Sequence, residues 1–373
     1  MKTALLSPES PRWPGSLESL AHDVYHLPGF ARLFAREEGG EALAFLAEEG
    51  SRRLLVPLIV RPIDENEDAG FPGRFDATCP YGYPGPVVSS DGFDAELEDF
   101  VDRALDGLRA EMLGRGIVCA FSRLHPMLDL PLAPFRRAGT VVRHGETVSI
   151  DLTRGPEGIW RGMNATCRNE VRKAGRQGQV VRVDQGWENL PEFLAIYRET
   201  MDRHSASASY YFDEGHLRAM RQTLGDRMML LIAEIGGEIA AGSIFLETNG
   251  IVNYHLSGTR AEFVRNHPSR TILHRAALVA AERGHRVLHL GGGRGGARDS
   301  LFGFKASFSP CRQAFHTWRF VADEAAYRSL VNRWQERTGG EPDGRGESFP
   351  AYRRPFPPVV VAADDAEMLA ATA

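Results

Sequence analysis

Lysine is almost missing from this chain of 373 residues, since only Lys2, Lys173 and Lys305 occur among 44 basic side chains. Where a positive charge is simply needed, the chain uses arginine. A lysine ammonium is compact and rotatable, whereas a guanidinium is planar, so a retained lysine suggests a position where arginine would not fit. Lys305 stands out because its apolar neighbours Phe304 and Phe308 favour a partly enclosed position. The alternative is a chance lysine on a solvated face.

Cysteines and long apolar runs are also scarce. The 4 cysteines lie far apart and form no CxxC pair, which argues against a disulfide framework or a zinc site. No apolar run approaches the ~18 residues that span a bilayer, and the N terminus lacks the basic and apolar regions of a signal peptide. A net charge of −5 does not indicate nucleic-acid binding by the whole surface, but it leaves local basic patches possible. We therefore expect a cytoplasmic protein without a membrane span.

The predicted elements follow the same order twice along the chain. A hairpin, a further extended or turn-rich segment, a helix with apolar residues at helical spacing, and a strand occur in each half. Equivalent glycines are offset by on the order of 170 to 185 residues, a far longer period than solenoid repeats show. The order β-β-β-α-β, repeated, predicts a mixed α/β protein built from two related domains. The predicted strands and helices are 42–47, 54–60, 93–113 and 117–121 in the first half, and 228–233, 240–246, 251–256, a helix from 268, and 287–290 in the second.

A basic helix is predicted between the two halves. Arg168, Arg172 and Arg176 recur at every fourth position, which places three guanidinium groups on one helical face. Lys173 lies beside them, and Gly178 ends the helix. This stripe could hold phosphate groups, or it could be an ordinary solvated face.

A glycine-rich turn follows the last predicted strand. Gly291, Gly293 and Gly296 fit the GxGxxG pattern, but no acidic residue stands ~20 positions on, and the segment does not read as a dinucleotide site. A loop that lets a ligand approach closely and a plain tight turn both remain open. Arginines on both sides of the turn, Arg294 among them, favour an anionic ligand. Asp299 could pair with Arg298 or orient a substrate amine.

Other polar and aromatic residues give weaker signals. Tyr81 and Tyr83 stand in a rigid, proline-rich turn and could line a pocket, although stacked turn aromatics would look the same. His204, His255 and His289 follow no metal-ligand spacing, and we interpret them as structural. The sequence therefore predicts no metal site.

Several of these segments together resemble the Fem family of peptidyltransferases, which are duplicated GNAT-type acyltransferases. The segments are RNEVRKAGRQG, YHLSGT, LHLGGGRGG and SLFGFKASF. The resemblance spans most of the chain, roughly 23–353, and its most specific part is the FKxxF of Phe304, Lys305 and Phe308. It implies two tandem GNAT-like domains with mixed sheets flanked by helices, and the absence of a long charged heptad insertion implies no coiled-coil arm. The implied domains are 1–152, completed by 346–358, and 153–340, followed by a disordered tail at 359–373.

The resemblance also implies a reaction. Family members transfer an amino acid from aminoacyl-tRNA to an amine, so Phe304 and Lys305 would inherit the reaction centre, where Lys305 stabilises an oxyanion or protonates the leaving oxygen. The expected co-substrate is aminoacyl-tRNA, bound through its acceptor end, with no tightly bound cofactor. The acceptor would be a small amine, such as a peptidoglycan precursor or a natural-product amine. The residues expected to bind the substrates are Arg168, Arg172, Lys173, Tyr254, Asn266, Arg270, Arg294, Asp299, Tyr81 and Tyr83.

Two alternatives remain at this stage. The first is an acyl-CoA-dependent N-acetyltransferase acting on a sugar or peptide amine. The usual CoA pyrophosphate loop is replaced here by the sequence 265–270, which weakens that reading without excluding it, since a helix N-terminus beside arginine can still hold an anion. The second is a non-catalytic nucleotide-ligand or scaffold protein whose site has drifted, and the retention of Lys305 argues against it.

Overall fold

The structure is a computed structural model that describes residues 1–63, 73–89, 92, 94–207, 210–340 and 349–353. The strands are β1 Lys2–Leu6, β2 Glu41–Glu49, β3 Arg52–Pro62, β4 Phe75–Thr78, β5 Val87–Val88, β6 Ile117–Arg123, β7 Thr140–Asp151, β8 Val180–Val183, β9 Met228–Ile235, β10 Glu238–Thr248, β11 Ile251–Thr259, β12 Val287–Gly291 and β13 Arg312–Val321. The α-helices are α1 Arg12–Leu17, α2 Pro28–Glu37, α3 Ala95–Gly114, α4 Leu132–Ala138, α5 Gly155–Gly162, α6 Ala165–Arg176, α7 Leu190–Arg203, α8 Glu214–Leu224, α9 Pro268–Glu282, α10 Ser300–Ala306 and α11 Glu324–Thr338.

Local sequence explains the helices nearest the site. The side chain of Asn164 accepts a hydrogen bond from the backbone N–H of Cys167 and starts the predicted basic helix α6. Proline at the first position starts α9, as predicted, because its fixed φ suits a helix and its missing N–H is not needed there. Asp299 caps the short helix α10. The predicted start of α3 at residue 93 lies outside the described residues, and the helix is seen from Ala95.

The strands form one mixed sheet that runs through both halves of the chain. Its order is β1-β2-β3-β4-β6-β13-β7-β12-β11-β10-β9-β8, with β5 beside β3. The predicted repeat is visible in it, since β4 and β6 run parallel across α3, and β11 and β12 run parallel across α9. The mixed α/β fold class is therefore confirmed.

Two strands cross over between the halves. Strand β13 comes from the second half of the sequence but pairs with β6 of the first half on one side and with β7 on the other. Strand β7 in turn pairs with β12 of the second half. The sheet is consequently continuous, and a sequence boundary at residue 152 separates strands that lie next to each other in space.

A shared apolar core holds the two halves together. One buried cluster contains Phe30 of α2 and Leu46 of β2 together with Phe193 of α7 and Leu230 of β9. The helices α7 and α8 pack against the body of the protein, α7 on β10 and β11 and α8 on α2. Within the described residues, no helical pair extends as a coiled-coil arm.

The C-terminal segment 349–353 lies against the first half. The hydroxyl of Tyr352 donates to Asp76, 3.1 Å away, and Arg353 forms an ion pair with the same buried carboxylate. The ring of Phe349 stacks near Phe121 of β6. Most of the predicted completing segment 346–358 and all of the tail 359–373 lie outside the described residues, so the domain boundaries stay a prediction.

Candidate active site

The site is built where parallel strands separate. Strands β11 and β12 pair from Ile251 and Val287 up to Asn253 and His289, and no parallel pair follows. Strands β4 and β6 likewise pair in parallel only as far as Ala77 and Ala120. Beyond such a split, the backbone N–H and C=O groups that face the gap are no longer paired with the parallel neighbour. Each half of the molecule therefore offers an opening in the sheet.

Lys305 reaches the split of the second half from the short helix α10. Its Nζ donates a hydrogen bond to the carbonyl oxygen of Gly292, at 2.7 Å, and the residue is only 9% exposed. Burial disfavours the charged ammonium and lowers the pKa of Lys305 to about 8, while the negative charge of Asp299 opposes this shift. The side chain is thus an enclosed ammonium that is easier to deprotonate than an ordinary lysine.

The hydroxyl of Tyr83 approaches the glycine turn close to the ammonium of Lys305. A Cβ placed on Gly291 would come within 3.3 Å of the lysine Nζ and 3.4 Å of the tyrosine Oη, so both polar atoms approach the same point. Gly291 also has a φ of +74°, a backbone conformation that other residues adopt only at a cost in free energy. Burial raises the pKa of Tyr83 to about 12, so its hydroxyl is neutral and able to donate.

A chain of buried polar groups lies beside Lys305. The carboxylate of Asp23 accepts from His125 Nε2 and from Asn253 Nδ2, each at 2.8 Å. Because a carboxylate can only accept, the Asn253 amide must point its Nδ2 at Asp23 and its Oδ1 at His289 Nδ1, 3.3 Å away. The proton of His289 is then on Nδ1. Its Nε2 is buried and has no hydrogen-bond partner among the described residues.

Burial and hydrogen bonds set the protonation states of His289 and Asp23 in this chain. Burial lowers the pKa of His289 to about 3, and the charges of His125 and Lys305 add to the effect. Burial would raise the pKa of Asp23, but hydrogen bonds from His125, Asn253 and the backbone of Val24 hold it below its usual value. A neutral imidazole therefore lies beside the ammonium at neutral pH. Sequence spacing gave no signal for this group, since Asp23 and its hydrogen-bond partner Asn253 are 230 residues apart.

Phe304 packs beneath an arginine of the neighbouring helix. The guanidinium of Arg270 lies 5.1 Å from the ring of Phe304 and donates to the hydroxyl of Ser307, 2.6 Å away. It also pairs with Glu170 of α6. These contacts connect α6 and α9 to α10. The charge of Arg270 is thereby already paired within the protein. The structure thus places Arg270 where it positions the helix that holds Lys305.

The N-terminus of α9 has fewer available backbone N–H donors than an ordinary helix start. Pro268 has no backbone N–H to offer, and the N–H of Arg270 is bonded to the carbonyl of His267 at 3.0 Å. His267 itself is left-handed, with a φ of 54°. Asn266 ends the 3-10 turn that precedes it and is half-buried.

The glycine turn and its acidic cap form one unit. Asp299 accepts from the backbone N–H of Phe302 at 2.9 Å and from both the backbone and the side chain of Arg294 at 3.2 Å. Burial would raise the pKa of Asp299, and these bonds instead lower it. Arg294 is largely exposed. Asp299 therefore remains an anion that fixes the turn and the start of α10.

The basic residues of α6 do not all point outward. Arg168 donates to the carbonyl of Met163 at the start of its own helix. The guanidinium of Arg172 lies 4.8 Å above the ring of Trp160, while Lys173 and Arg176 are exposed. The exposed part of the predicted stripe thus consists of Arg172, Lys173 and Arg176.

Tyr81 and Tyr254 lie in aromatic surroundings. Tyr81 stacks on Phe34 at 5.4 Å and meets the edge of His255 at the same distance. Tyr254 packs near Phe245 in the core of the second half. No hydrogen bond or ring contact joins either tyrosine to Lys305 within the described ranges. No group of three or more His, Cys, Asp or Glu side chains there is suited to hold a metal ion.

Comparison with known proteins places this geometry in context. Residues 161–299 match the acetyltransferase (GNAT) domain family. No curated protein matches the sequence. Among solved structures, FemX has a TM-score of 0.67 at 11% identity, over 88% of this chain and 99% of FemX. L-PGS from Bacillus licheniformis has a TM-score of 0.51 at 13% identity, over 88% and 97%.

A third structure has the same arrangement. The C-terminal domain (DUF2156) of a putative lysylphosphatidylglycerol synthetase from Agrobacterium fabrum has a TM-score of 0.50 at 16% identity, covering 86% of this chain and 93% of that domain.

None of the helices in the described ranges combines the length and apolarity needed to cross a bilayer.

Residues 161–299 therefore match a GNAT acetyltransferase domain, and the fold of most of the chain is similar to that of FemX. The Fem-like GNAT fold predicted from the sequence is confirmed. The GNAT class implies an acyl donor as co-substrate. The matched family segment ends at residue 299 and so does not include the FKxxF motif, which makes the geometry around Lys305 the main guide to the chemistry.

Proposed function

We propose that this protein forms amide bonds by transferring an aminoacyl group from aminoacyl-tRNA to an amine acceptor. The observation that carries the proposal is the enclosed ammonium of Lys305, held 2.7 Å from the Gly292 carbonyl at a split in the sheet. The similarity of nearly the whole chain to FemX supports it. L-PGS from Bacillus licheniformis and the domain of a putative lysylphosphatidylglycerol synthetase from Agrobacterium fabrum have a similar fold.

The chemistry suits the protonation states of the site. A neutral acceptor amine attacks the ester carbonyl, a bond from nitrogen to carbon forms, and the bond from carbon to the 3′-oxygen of the tRNA breaks. The ammonium of Lys305 stabilises the developing oxyanion and gives a proton to the leaving oxygen, and the neutral lysine then takes up the proton that the attacking nitrogen loses. A pKa of about 8 leaves this lysine mostly protonated at pH 7 and makes it a better acid than an unperturbed lysine.

The exposed cations of α6 would hold the donor. Arg172, Lys173 and Arg176 present positive charge on a protein whose net charge is −5, so the attraction for RNA is local. Phosphates of the acceptor end, or of a nucleotide-linked acceptor, fit this surface. The side chain of Trp160 beneath Arg172 adds an aromatic face. Use of charged tRNA would place the reaction in the cytoplasm.

An acyl-CoA donor is the second candidate. The match of residues 161–299 to the acetyltransferase (GNAT) domain family favours it. The start of α9 argues against an acyl-CoA donor, because Pro268 lacks a backbone N–H and the N–H of Arg270 is already bonded. A pyrophosphate would find few free N–H groups there.

Donor identity can be tested directly. The purified protein would be incubated separately with a pool of charged tRNAs and with acetyl-CoA, each with a panel of amines, and amide products would be followed by mass spectrometry. We expect product from charged tRNA, and we expect RNase to abolish it. Product from acetyl-CoA that is insensitive to RNase would overturn the proposal in favour of the second candidate.

A further inference from the structure

Arg123 is a positive charge without an acidic partner. It is the last residue of β6 and is half-buried. Its Nη1 donates to the thiol of Cys79 at 3.7 Å, and its guanidinium lies 5.4 Å from the ring of Phe121. No carboxylate among the described residues lies within ion-pair distance of it. By contrast, Arg61, on the neighbouring part of the sheet, pairs with both Glu38 and Asp76.

Burying the guanidinium of Arg123 costs free energy unless an anionic ligand pairs with it. Withdrawing a cation from water is unfavourable without a counter-charge or a full set of acceptors, and one weak thiol acceptor leaves most of the five N–H donors of Arg123 unused. Its titratable neighbours are Cys79 and the phenols of Tyr81, Tyr83 and Tyr210. Burial raises the pKa of both Tyr81 and Tyr83, so these phenols are neutral at neutral pH and supply no counter-charge to Arg123.

Arg123 and Lys305 are both neighbours of one tyrosine, Tyr83. Tyr83 is an electrostatic neighbour of Arg123, and its hydroxyl approaches the same point beside Gly291 as the ammonium of Lys305. Arg123 follows the split between β4 and β6, and Gly291 follows the split between β11 and β12. The two openings in the sheet therefore meet at Tyr83, with a fixed cation in one and the reacting ammonium in the other.

We infer that Arg123 binds a carboxylate of the acceptor, so that the acceptor is an amino acid or short peptide whose amine reaches Lys305. This rests on the proposed function. A single planar guanidinium matches one carboxylate through two parallel hydrogen bonds, and neutral phenols add donors without adding charge. A phosphate ester would be better served by several cations, such as the exposed group Arg172, Lys173 and Arg176 on α6.

Probes with a carboxylate, a neutral amide or a phosphate test the inference. The dipeptide L-alanyl-L-alanine and its C-terminal amide would be compared with O-phosphoethanolamine, which carries a phosphate instead of a carboxylate. Binding to the full-length protein would be measured by calorimetry without any donor, and KM and kcat would be measured with charged tRNA. We expect the free carboxylate to bind about 10- to 100-fold more tightly than the amide, as charge-assisted hydrogen bonds predict.

The variant Arg123→Gln should remove that preference. It should raise the KM of the dipeptide by about the same 10- to 100-fold, leave its kcat little changed and leave the binding of the amide unaltered. Arg123→Lys, which keeps the charge but loses the planar fork, should fall between. Arg218→Gln is a matched control, since Arg218 is exposed on α8 and pairs with Glu214.

The outcomes separate this inference from the proposed function. Equal affinity of the folded wild-type protein for the dipeptide and its amide would overturn the carboxylate site even if aminoacyl transfer is established. Tighter binding of O-phosphoethanolamine than of the dipeptide would also overturn it, in favour of a phosphate. Selective binding of the dipeptide that Arg123→Gln abolishes would support the site even if the donor proves to be acetyl-CoA. Should Arg123→Gln lower the Tm, the Arg123→Lys variant and the wild-type selectivity decide the question.

Discussion

The two halves of the molecule reach the same point of the fold with different residues. Six positions after the first parallel pair, the strand of the first half carries Arg123, whereas the strand of the second half carries Gly293. The first half keeps the side chains of Phe121–Arg123 and continues to pair with β13. The second half has Gly291–Gly293 at these positions. The glycines carry no side chains, and the carbonyl of Gly292 accepts the hydrogen bond from Lys305. A duplicated scaffold thus supplies a fixed cation on one side and a reactive one on the other.

The cations also differ in how they respond to pH. A guanidinium keeps its charge at any pH at which the protein is folded. Burial has lowered the pKa of Lys305 to about 8, so this ammonium can exchange its proton during a reaction. We therefore expect substitutions of Arg123 to change the affinity for the acceptor, and substitutions of Lys305 to change the rate of transfer.

Removing the ammonium should have the largest effect. Lys305→Ala is expected to lower kcat by about 10²- to 10³-fold, as loss of one oxyanion contact does, with little change in the binding of charged tRNA. Lys305→Arg keeps a charge but replaces the compact group, and it should also be impaired. Single-turnover transfer and filter binding would measure the two quantities. Unchanged turnover in Lys305→Ala would remove the role assigned to this lysine.

A side chain at Gly291 should be nearly as damaging. Gly291→Ala would place a methyl group 3.3 Å from the lysine Nζ at a φ of +74°, so we expect roughly a tenfold or greater loss of rate and about 1 kcal/mol or more of lost stability. Gly175→Ala in α6 is the matched control, because nothing lies within 4 Å of its added Cβ. It should be neutral or slightly stabilising. Denaturant unfolding and initial rates would check both variants, and equal behaviour of the two would contradict the account.

Stability should depend on pH in a direction that Lys305 determines. Its pKa is about 8 in the folded protein, against an ordinary value of 10.5. Between these values the unfolded chain binds more protons, so the free energy of unfolding should rise with pH in this window, by at most about 3 kcal/mol. Urea unfolding of wild type and Lys305→Met at pH 7.5, 9 and 10.5 would show the difference. A wild-type protein that gains nothing relative to Lys305→Met would show that the lysine is not buried as a strained cation.

The smallest effect is expected on the surface of α6. Lys173→Ala should weaken the binding of charged tRNA by a few-fold, equally for all amino acids, and reduce the salt dependence of binding by about one charge. The kcat at saturating donor should stay the same. Arg161→Ala is a suitable control, since Arg161 is exposed on α5 and pairs with Glu157. Equal salt dependence of wild type and Lys173→Ala would exclude α6 from the donor site.

Local patterns in the sequence identified much of the fold. The helix α6, the proline start of α9 and the strand before the glycine turn follow from capping residues and periodicity. The insertion of β13 between β6 and β7 could not be predicted, because pairing between distant strands leaves no local signal.

The candidate site was predictable only in part. The rarity of lysine and the FKxxF motif pointed to Lys305, and the structure shows it enclosed. Nothing in the sequence linked Asp23 to Asn253, or Arg123 to Tyr83, since burial and the absence of a counter-charge are properties of the folded chain. The partnership of Arg270 with Glu170 likewise depends on how two helices pack.

The most direct test of the central claim is a transfer assay with one defined donor. Wild type and Lys305→Met would be given tRNA charged with a radiolabelled amino acid and an amine acceptor, with and without prior RNase treatment. We expect labelled amide from wild type that RNase eliminates and that the Lys305→Met protein does not form at a comparable rate. Labelled amide formed equally by both proteins, or no amide from charged tRNA while acetyl-CoA supports product, would contradict it.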